Sequence, residues 1–353
     1  MILKILYSFL TAGVISWVSI KPLLYLAGKF NFFDNPDDLR KVHDKKIPTL
    51  GGIAIFLGWL ISSLLWVDFV KCPEMQFLVA SVLILTFLGI KDDISVLDPY
   101  KKFAGQIIAA FLVVYFGDVR ITSFYGILGI GELPVWVSVI FTILVFLTII
   151  NALNLIDGIN GLATSISLIG SIFYGVWFYL IDENFQHTVL AAALVGALIS
   201  FLRFNITPAK IFMGDTGSMT LGFLLAFFSI DFIETNAVNK FHDYFFHSSP
   251  TLAIAILMLP LYDLFRTMFL RIIHGKNPLK ADKNHIHHLL LRLRLSHEWV
   301  TFILVIYSIS VIVIALVLRH FNNHVTGIII LAYTILLNLL LVHLVNKKEK
   351  ANG

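Results

Sequence analysis

Several stretches of the 353-residue chain carry residue types and spacings suited to phosphate and metal chemistry. Lys91-Asp92-Asp93 sets two carboxylates side by side, with Asp98-Pro99 close behind. Adjacent carboxylates repel unless a cation or solvent offsets the charge. Mg²⁺ takes a few carboxylates and completes its shell with water and substrate phosphates. The plain alternative is a solvated loop whose aspartates cap the next helix. Asn154, Asp157 and Asn160 recur every three residues, so a helical or 3₁₀ turn lines them along one edge. Such an edge offers a metal acceptor together with amide groups for a nucleotide. Gly158 and Gly161 permit close backbone approach or a helix break, although an ordinary helix end has the same look.

Gly214-Asp215-Thr216-Gly217-Ser218 has the form of a helix start. Free amides there suit phosphate and Asp215 suits a cation, while capping alone would also explain the aspartate. Just before it, Lys210 supplies positive charge, and Phe212 supplies a face for a base or one more of 31 lipid-facing phenylalanines. His285, His287 and His288 fall within four residues, near Lys280, Asp282, Lys283, Asn284, Arg292 and Arg294. The spacing is not that of a tetrahedral zinc motif. An anion cradle fits better, with a basic orientation loop as the bland reading. Asp263 and Arg266 stand three apart inside an apolar run and can pair on one helix face.

The elements that must hold these groups follow from composition. Apolar residues make up 58% of the chain and charged ones 14%, against about 25% charged in a soluble protein. Disorder, a disulfide scaffold and a soluble globular fold are excluded, and the single cysteine, Cys72, cannot form an intrachain bridge. Nothing points to a nucleic-acid partner. Apolar runs predict an all-α integral membrane protein of eleven spans near 3–28, 50–67, 75–90, 103–117, 133–150, 160–181, 187–202, 217–232, 250–272, 299–318 and 324–345. The first run is too long for a signal peptide. Nineteen of the 26 Lys and Arg residues lie after odd-numbered spans or in the C-terminal tail, and five lie on the other side. That bias puts the N-terminus outside and the C-terminus in the cytoplasm. Every chemical cluster falls on the basic side. The expectation is one polytopic unit, 1–353, with a cytoplasmic site built from loops 29–50, 91–102, 151–160, 203–218 and 272–298.

Together these stretches resemble the polyprenyl-phosphate N-acetylhexosamine-1-phosphate transferases. The resemblance rests on Asp34-Asn-Pro36, Arg40-Lys-Val-His43, Pro48, Gly51-Gly52, Asp92-Asp93, Leu97-Asp-Pro99, Asn151, Asn154 and Asp157-Gly. It continues through Pro208-Ala-Lys210-Ile-Phe-Met-Gly-Asp215-Thr-Gly-Ser218, Pro260, Asp263 and His285-Ile-His-His288, in the family's order over about residues 1–345. The His-Ile-His-His form is similar to the UDP-N-acetylglucosamine branch rather than the peptidoglycan branch. Asn160 departs from the aspartate usual in bacterial relatives, and Pro36–Arg40 is one residue longer than the usual spacing.

The resemblance implies transfer of GlcNAc-1-phosphate from UDP-GlcNAc, or another UDP-N-acetylhexosamine, to undecaprenyl or another polyprenyl phosphate, releasing UMP. It implies a bacterial cytoplasmic membrane, a glycan such as lipopolysaccharide or teichoic acid, and Mg²⁺ with Mn²⁺ as substitute; a homodimer is compatible with it. Asp215, Asp92 and Asp93 are expected around the metal, and Asp92, Asp93 and Asp157 in the catalytic centre. Asn154, Asn160, Lys210, Phe212, His285, His287 and His288 are expected on the substrates. A CDP-alcohol phosphotransferase would continue its Asp-Gly into Ala-Arg, whereas Asp157-Gly continues into Ile-Asn-Gly-Leu. A secondary transporter would place its polar groups at mid-membrane.

Overall fold

The computed structural model describes residues 1–30, 47–181, 185–277 and 285–352. The first-loop motif from Asp34 to His43, and Lys280 to Asn284 beside the histidine block, lie outside the described residues. Among the described residues there is no β-strand, only an isolated bridge between Ser123 and Glu132.

Apolar sequence without periodic polar positions forms helices that bury every face, and α8 (Gly214–Val238) is the extreme case. Its most apolar window is 94% buried. Around it stand α2 (Gly51–Trp66), α3 (Glu74–Ile94), α5 (Val135–Ile156) and α6 (Leu162–Ile181). The first helix, α1 (Ile2–Phe30), packs on α2 and α7 (Phe185–Asn205), with the Ser8 hydroxyl donating to Val189 O at 2.8 Å. Its apolar window is only 17% buried, as is that of the last helix, α13 (Asn323–Asn352). Both present apolar side chains outward, as helices at a lipid boundary do.

Each of the eleven apolar runs is helical. Among the described residues, seven helices are long and apolar enough to cross a bilayer, so the chain is a multi-pass membrane protein. The 250–272 run is broken at Leu257 into α9 (Ser249–Ile256) and α10 (Met258–Ile273), bent by 80°, which makes an eighth if counted as one span. The α2 helix has 16 residues, about 24 Å of rise against a hydrocarbon core of about 30 Å. The 103–117 run is α4 (Pro99–Phe111) continued by a π-helical turn, Leu112–Phe116. Two further helices complete the order, short α11 (Ile286–Arg292) and α12 (His297–Val317).

The tip of α8 is where the elements meet most closely. A Cβ on Gly52 would stand 2.1 Å from Gly217 N, and one on Gly89 would stand 2.4 Å from Thr216 Cα. Only hydrogen at these positions lets α2 and α3 touch the α8 backbone. Segment 48–52 also bonds to the approach to α8. Phe212 N donates to Pro48 O, Gly51 N to Phe212 O and Gly52 N to Met213 O, all at 2.8–2.9 Å.

Candidate active site

The C-terminal ends of α3 and α5, the start of α4 and the N-terminal turn of α8 converge at one end of the bundle. Asp215 sits in that first turn, where the helix dipole favours a negative charge. Asn154 donates its amide to Asp215 Oδ1 and, at 2.8 Å, to Ser218 Oγ. Lys102 Nζ lies 2.8 Å from both Asp215 Oδ1 and Asp92 Oδ2. One ammonium therefore bridges two carboxylates from different helices. Asp92 also accepts from Leu97 N at 2.6 Å. Burial raises the Asp92 carboxyl, but the Lys102 ammonium and the Leu97 amide outweigh it and hold it below the usual carboxylate range.

Asp93 faces the opposite way. It accepts from Asp215 N at 2.7 Å, Thr216 N at 3.1 Å and Thr216 Oγ1 at 2.6 Å. A residue from α3 thus caps α8 across 122 positions of sequence. Burial pushes its carboxyl up to about 7 against these donors, and neighbouring Asp215 adds to the rise. Gly214 takes a left-handed φ of 72° at this junction, and a Cβ there would meet Thr49 O at 2.2 Å. Asp157 accepts from the Gly214 amide, and burial together with Asp215 and Asp93 pushes it well above the ordinary carboxylate range.

The histidine block closes one flank. Asp263 binds His285 Nδ1 at 2.9 Å and the Ile286 amide at 2.8 Å, so it orients the histidine block rather than serving Arg266, which donates to Asn338 Oδ1. His285 and His287 stack with centroids 5.6 Å apart, and His288 lies 4.3 Å from His287. His287 Nε2 abuts the Asp157-Gly158 turn, where a Cβ on Gly158 would reach it at 3.3 Å. Burial, then the neighbouring His288, lowers the His287 pKa to about 3, so that ring is neutral.

The remaining predicted residues hold the loops around this centre. Asn160 is buried; its amide donates to Thr207 Oγ1 at 3.2 Å and its carbonyl accepts from Thr301 at 2.9 Å. Asn205 ties the same loops by accepting from Gly161 N and Thr164 Oγ1. Phe212 is fixed by its backbone, and Lys210 is exposed on the approach to α8. Sequence reasoning missed Lys102 as a member of the centre. Its only local signal is a lysine following the paired aspartates at the start of the next helix.

All the acidic groups here offer oxygen, the class that hard divalent cations prefer, and the burial and Asp215 charge that raise Asp93 and Asp157 mark a place that a cation would relieve. Asp215 and Asp92, presently sharing Lys102, and the adjacent Asp157 fit such an ion. Asp93 is committed to the α8 amides.

Comparison with known proteins gives the family. The profile of glycosyl transferase family 4 matches residues 75–233, which include every carboxylate of the centre from Asp92 to Asp215. A Bacillus subtilis (strain 168) protein named as a probable undecaprenyl-phosphate N-acetylglucosaminyl 1-phosphate transferase is 33% identical, over 99% of this chain and 95% of its own length. The decaprenyl-phosphate N-acetylglucosaminephosphotransferase of Mycobacterium tuberculosis (strain ATCC 25618 / H37Rv) is 32% identical, over 84% of this chain and 78% of its own. The undecaprenyl-phosphate alpha-N-acetylglucosaminyl 1-phosphate transferase of Escherichia coli (strain K12) is 28% identical, over 76% and 71%. The chain belongs to the polyprenyl-phosphate N-acetylhexosamine-1-phosphate transferases of glycosyl transferase family 4.

Proposed function

We propose that this transferase moves GlcNAc-1-phosphate from UDP-GlcNAc to undecaprenyl phosphate or a related polyprenyl phosphate, releasing UMP at the start of a lipid-linked envelope glycan. The observation that carries the reading is the Asp92–Lys102–Asp215 bridge at the α8 tip, with Asn154 and Asp157 beside it. The reading takes the chain as one catalytic unit in a bacterial cytoplasmic membrane, with eleven spans, the N-terminus outside and the site facing the cytoplasm. The Lys and Arg bias supports that orientation.

A phosphate oxygen of the lipid attacks the sugar-bearing phosphorus of the donor. The new P–O bond forms as the pyrophosphate P–O bond breaks, and UMP leaves with the bonding pair. The acceptor ionises near pH 6 as phosphate monoesters do, so a strong general base adds little. The obstacle is crowding of negative charge. Lys102 supplies one half-buried cation, while the histidine block stands against the Asp157-Gly158 turn. Lys210 and Phe212 lie on the α8 approach, and this reading gives them phosphate and uracil as partners. Mg²⁺, held by Asp215 and Asp92 with Asp157 nearby, would neutralise phosphate oxygens when bound.

Purified protein is incubated with polyprenyl phosphates of two chain lengths and separately with UDP-GlcNAc, UDP-GalNAc or UDP-MurNAc-pentapeptide, with and without Mg²⁺. UMP release with UDP-GlcNAc, dependent on Mg²⁺ and abolished in Asp215→Asn at unchanged expression, is expected. No UMP from any donor ends this reading, and activity retained in Asp215→Asn overturns the role of that carboxylate.

A further inference from the structure

At the other end of α8, remote from the carboxylate centre, the geometry points to a zinc site formed by Cys72, Glu74, His187 and Asp231. Asp215 and Asp231 are separated by 16 positions of one helix, about 24 Å at 1.5 Å per residue. None of the groups used in the transfer reaction lies here.

Cys72, Glu74 and His187 each present a ligand atom, and these atoms all lie within 4.8 Å of one another. His187 Nε2 stands 3.7 Å from Glu74 Oε1 and 3.4 Å from Asp231 Oδ2. Zinc bonds of about 2.0–2.1 Å to nitrogen and oxygen give a tetrahedral edge of about 3.3–3.4 Å. His187 Nε2 therefore already stands close to a tetrahedral edge from each of the two carboxylates. His187 is only 2% exposed, yet neither ring nitrogen has a hydrogen-bond partner. An imidazole buried that deeply with no partner is costly, and a metal bond to Nε2 removes part of the cost.

The surroundings hold the donors in place. The His187 ring stacks on Phe227 at 5.5 Å with an interplanar angle of 15°, and Phe178 lies 5.2 Å away. Asp68 N donates to Gln186 Oε1 at 2.8 Å, tying the α2–α3 connection to the start of α7. Cys72 is buried, whereas the Glu74 and Asp231 side chains keep about a fifth of their surface, so an ion can enter from the aqueous edge. Thiolate, imidazole and carboxylate together select zinc over magnesium. Binding converts the Cys72 thiol to thiolate and releases its proton to water. Four protein ligands close the coordination shell, so the ion is structural and pins the α2–α3 connection, α7 and α8 together.

The test uses the full-length protein in detergent, stripped with chelator, then titrated with Zn²⁺ and in parallel with Co²⁺. Cys72 is the only cysteine in the chain, so a thiolate-to-cobalt charge-transfer band reports this site and not the histidine block. Expected are about one tightly held Zn²⁺ per chain, the cobalt band in the native protein, its loss in Cys72→Ser, and at least tenfold weaker binding in Glu74→Gln. Zinc is expected to raise the apparent melting temperature of the native protein but not of Cys72→Ser, with UMP release retained in both. Absence of the cobalt band in the native protein overturns the proposal without reference to any variant. Zinc stoichiometry and melting shift unchanged in Cys72→Ser overturn it equally.

Discussion

Lys102 is the residue on which the charge balance of the centre turns, and Lys102→Met tests it. The ammonium stands 2.8 Å from Asp92 and from Asp215, so each attraction is about 6 kcal/mol gross at an effective dielectric of about 20. Desolvation and solvent screening of these half-buried groups offset much of this, and the net cost of about 3–5 kcal/mol for removing one partner of a fully buried ion pair is an upper limit. Proton uptake sets a ceiling: neutralising a carboxylate of ordinary pKa 3.9 at about pH 7.5 costs roughly 5 kcal/mol. A loss of about 1–3 kcal/mol near neutral pH is therefore expected, read as a melting temperature lower by several degrees. The sign with pH follows from Asp92. In the native protein Lys102 helps hold its pKa down, so that contribution is present above the unfolded pKa and disappears as pH falls through the folded one. The deficit of Lys102→Met must accordingly shrink as pH falls below about 4. UMP release should fall by about 10²–10³-fold, the usual loss on deleting one charge-stabilising group. Added Mg²⁺ should restore stability to the variant more than to the native protein. A variant that melts within a degree of native protein at neutral pH and turns over normally refutes the bridge.

Asp93 gives a second pH signature. Its carboxyl titrates at about 7 in the fold against about 3.9 unfolded, so its stabilising contribution is complete below pH 4 and is lost as pH rises through 7. Melting temperature should drop more steeply between about pH 4 and 7 in native protein than in Asp93→Asn; parallel curves would refute this. His287 has the opposite sign. Held neutral down to about 3, it favours the fold above about 6.5 and weakens it as acid protonates the unfolded chain. His287→Leu should lose less stability on acidification from pH 7 to about 5, as followed by thermal unfolding. Gly52→Ala would force a methyl group to 2.1 Å from Gly217 N. Because the obstacle is backbone, a cost of about 1–3 kcal/mol or more is expected. A stable Gly52→Ala protein with full UMP release would show that the α8 tip can give way.

The sequence by itself determined the helical membrane class, because long runs apolar on every side are stable only as helices in lipid. Its local spacing also placed Asn154, Asp157 and Asp215 at helix ends, and Asp215 and Asn154 do meet there. The division of labour among the carboxylates was not legible. Asp92 and Asp93 are neighbours, yet one turns to Lys102 and the other caps α8, because consecutive side chains on a helix point in different directions. Lys102 and Asp215 are 113 residues apart, and nothing in a lysine's local context announces a partner at that range. Spacing favoured Asp263 with Arg266, but the chain brought His285 to Asp263 from 22 residues away. Gly52, read as a family mark, proved to be a contact point against Gly217, and Gly89, which no motif included, meets Thr216 in the same way. Local pattern decides what each segment becomes, while a site made of charges needs distances, and only tertiary packing sets those.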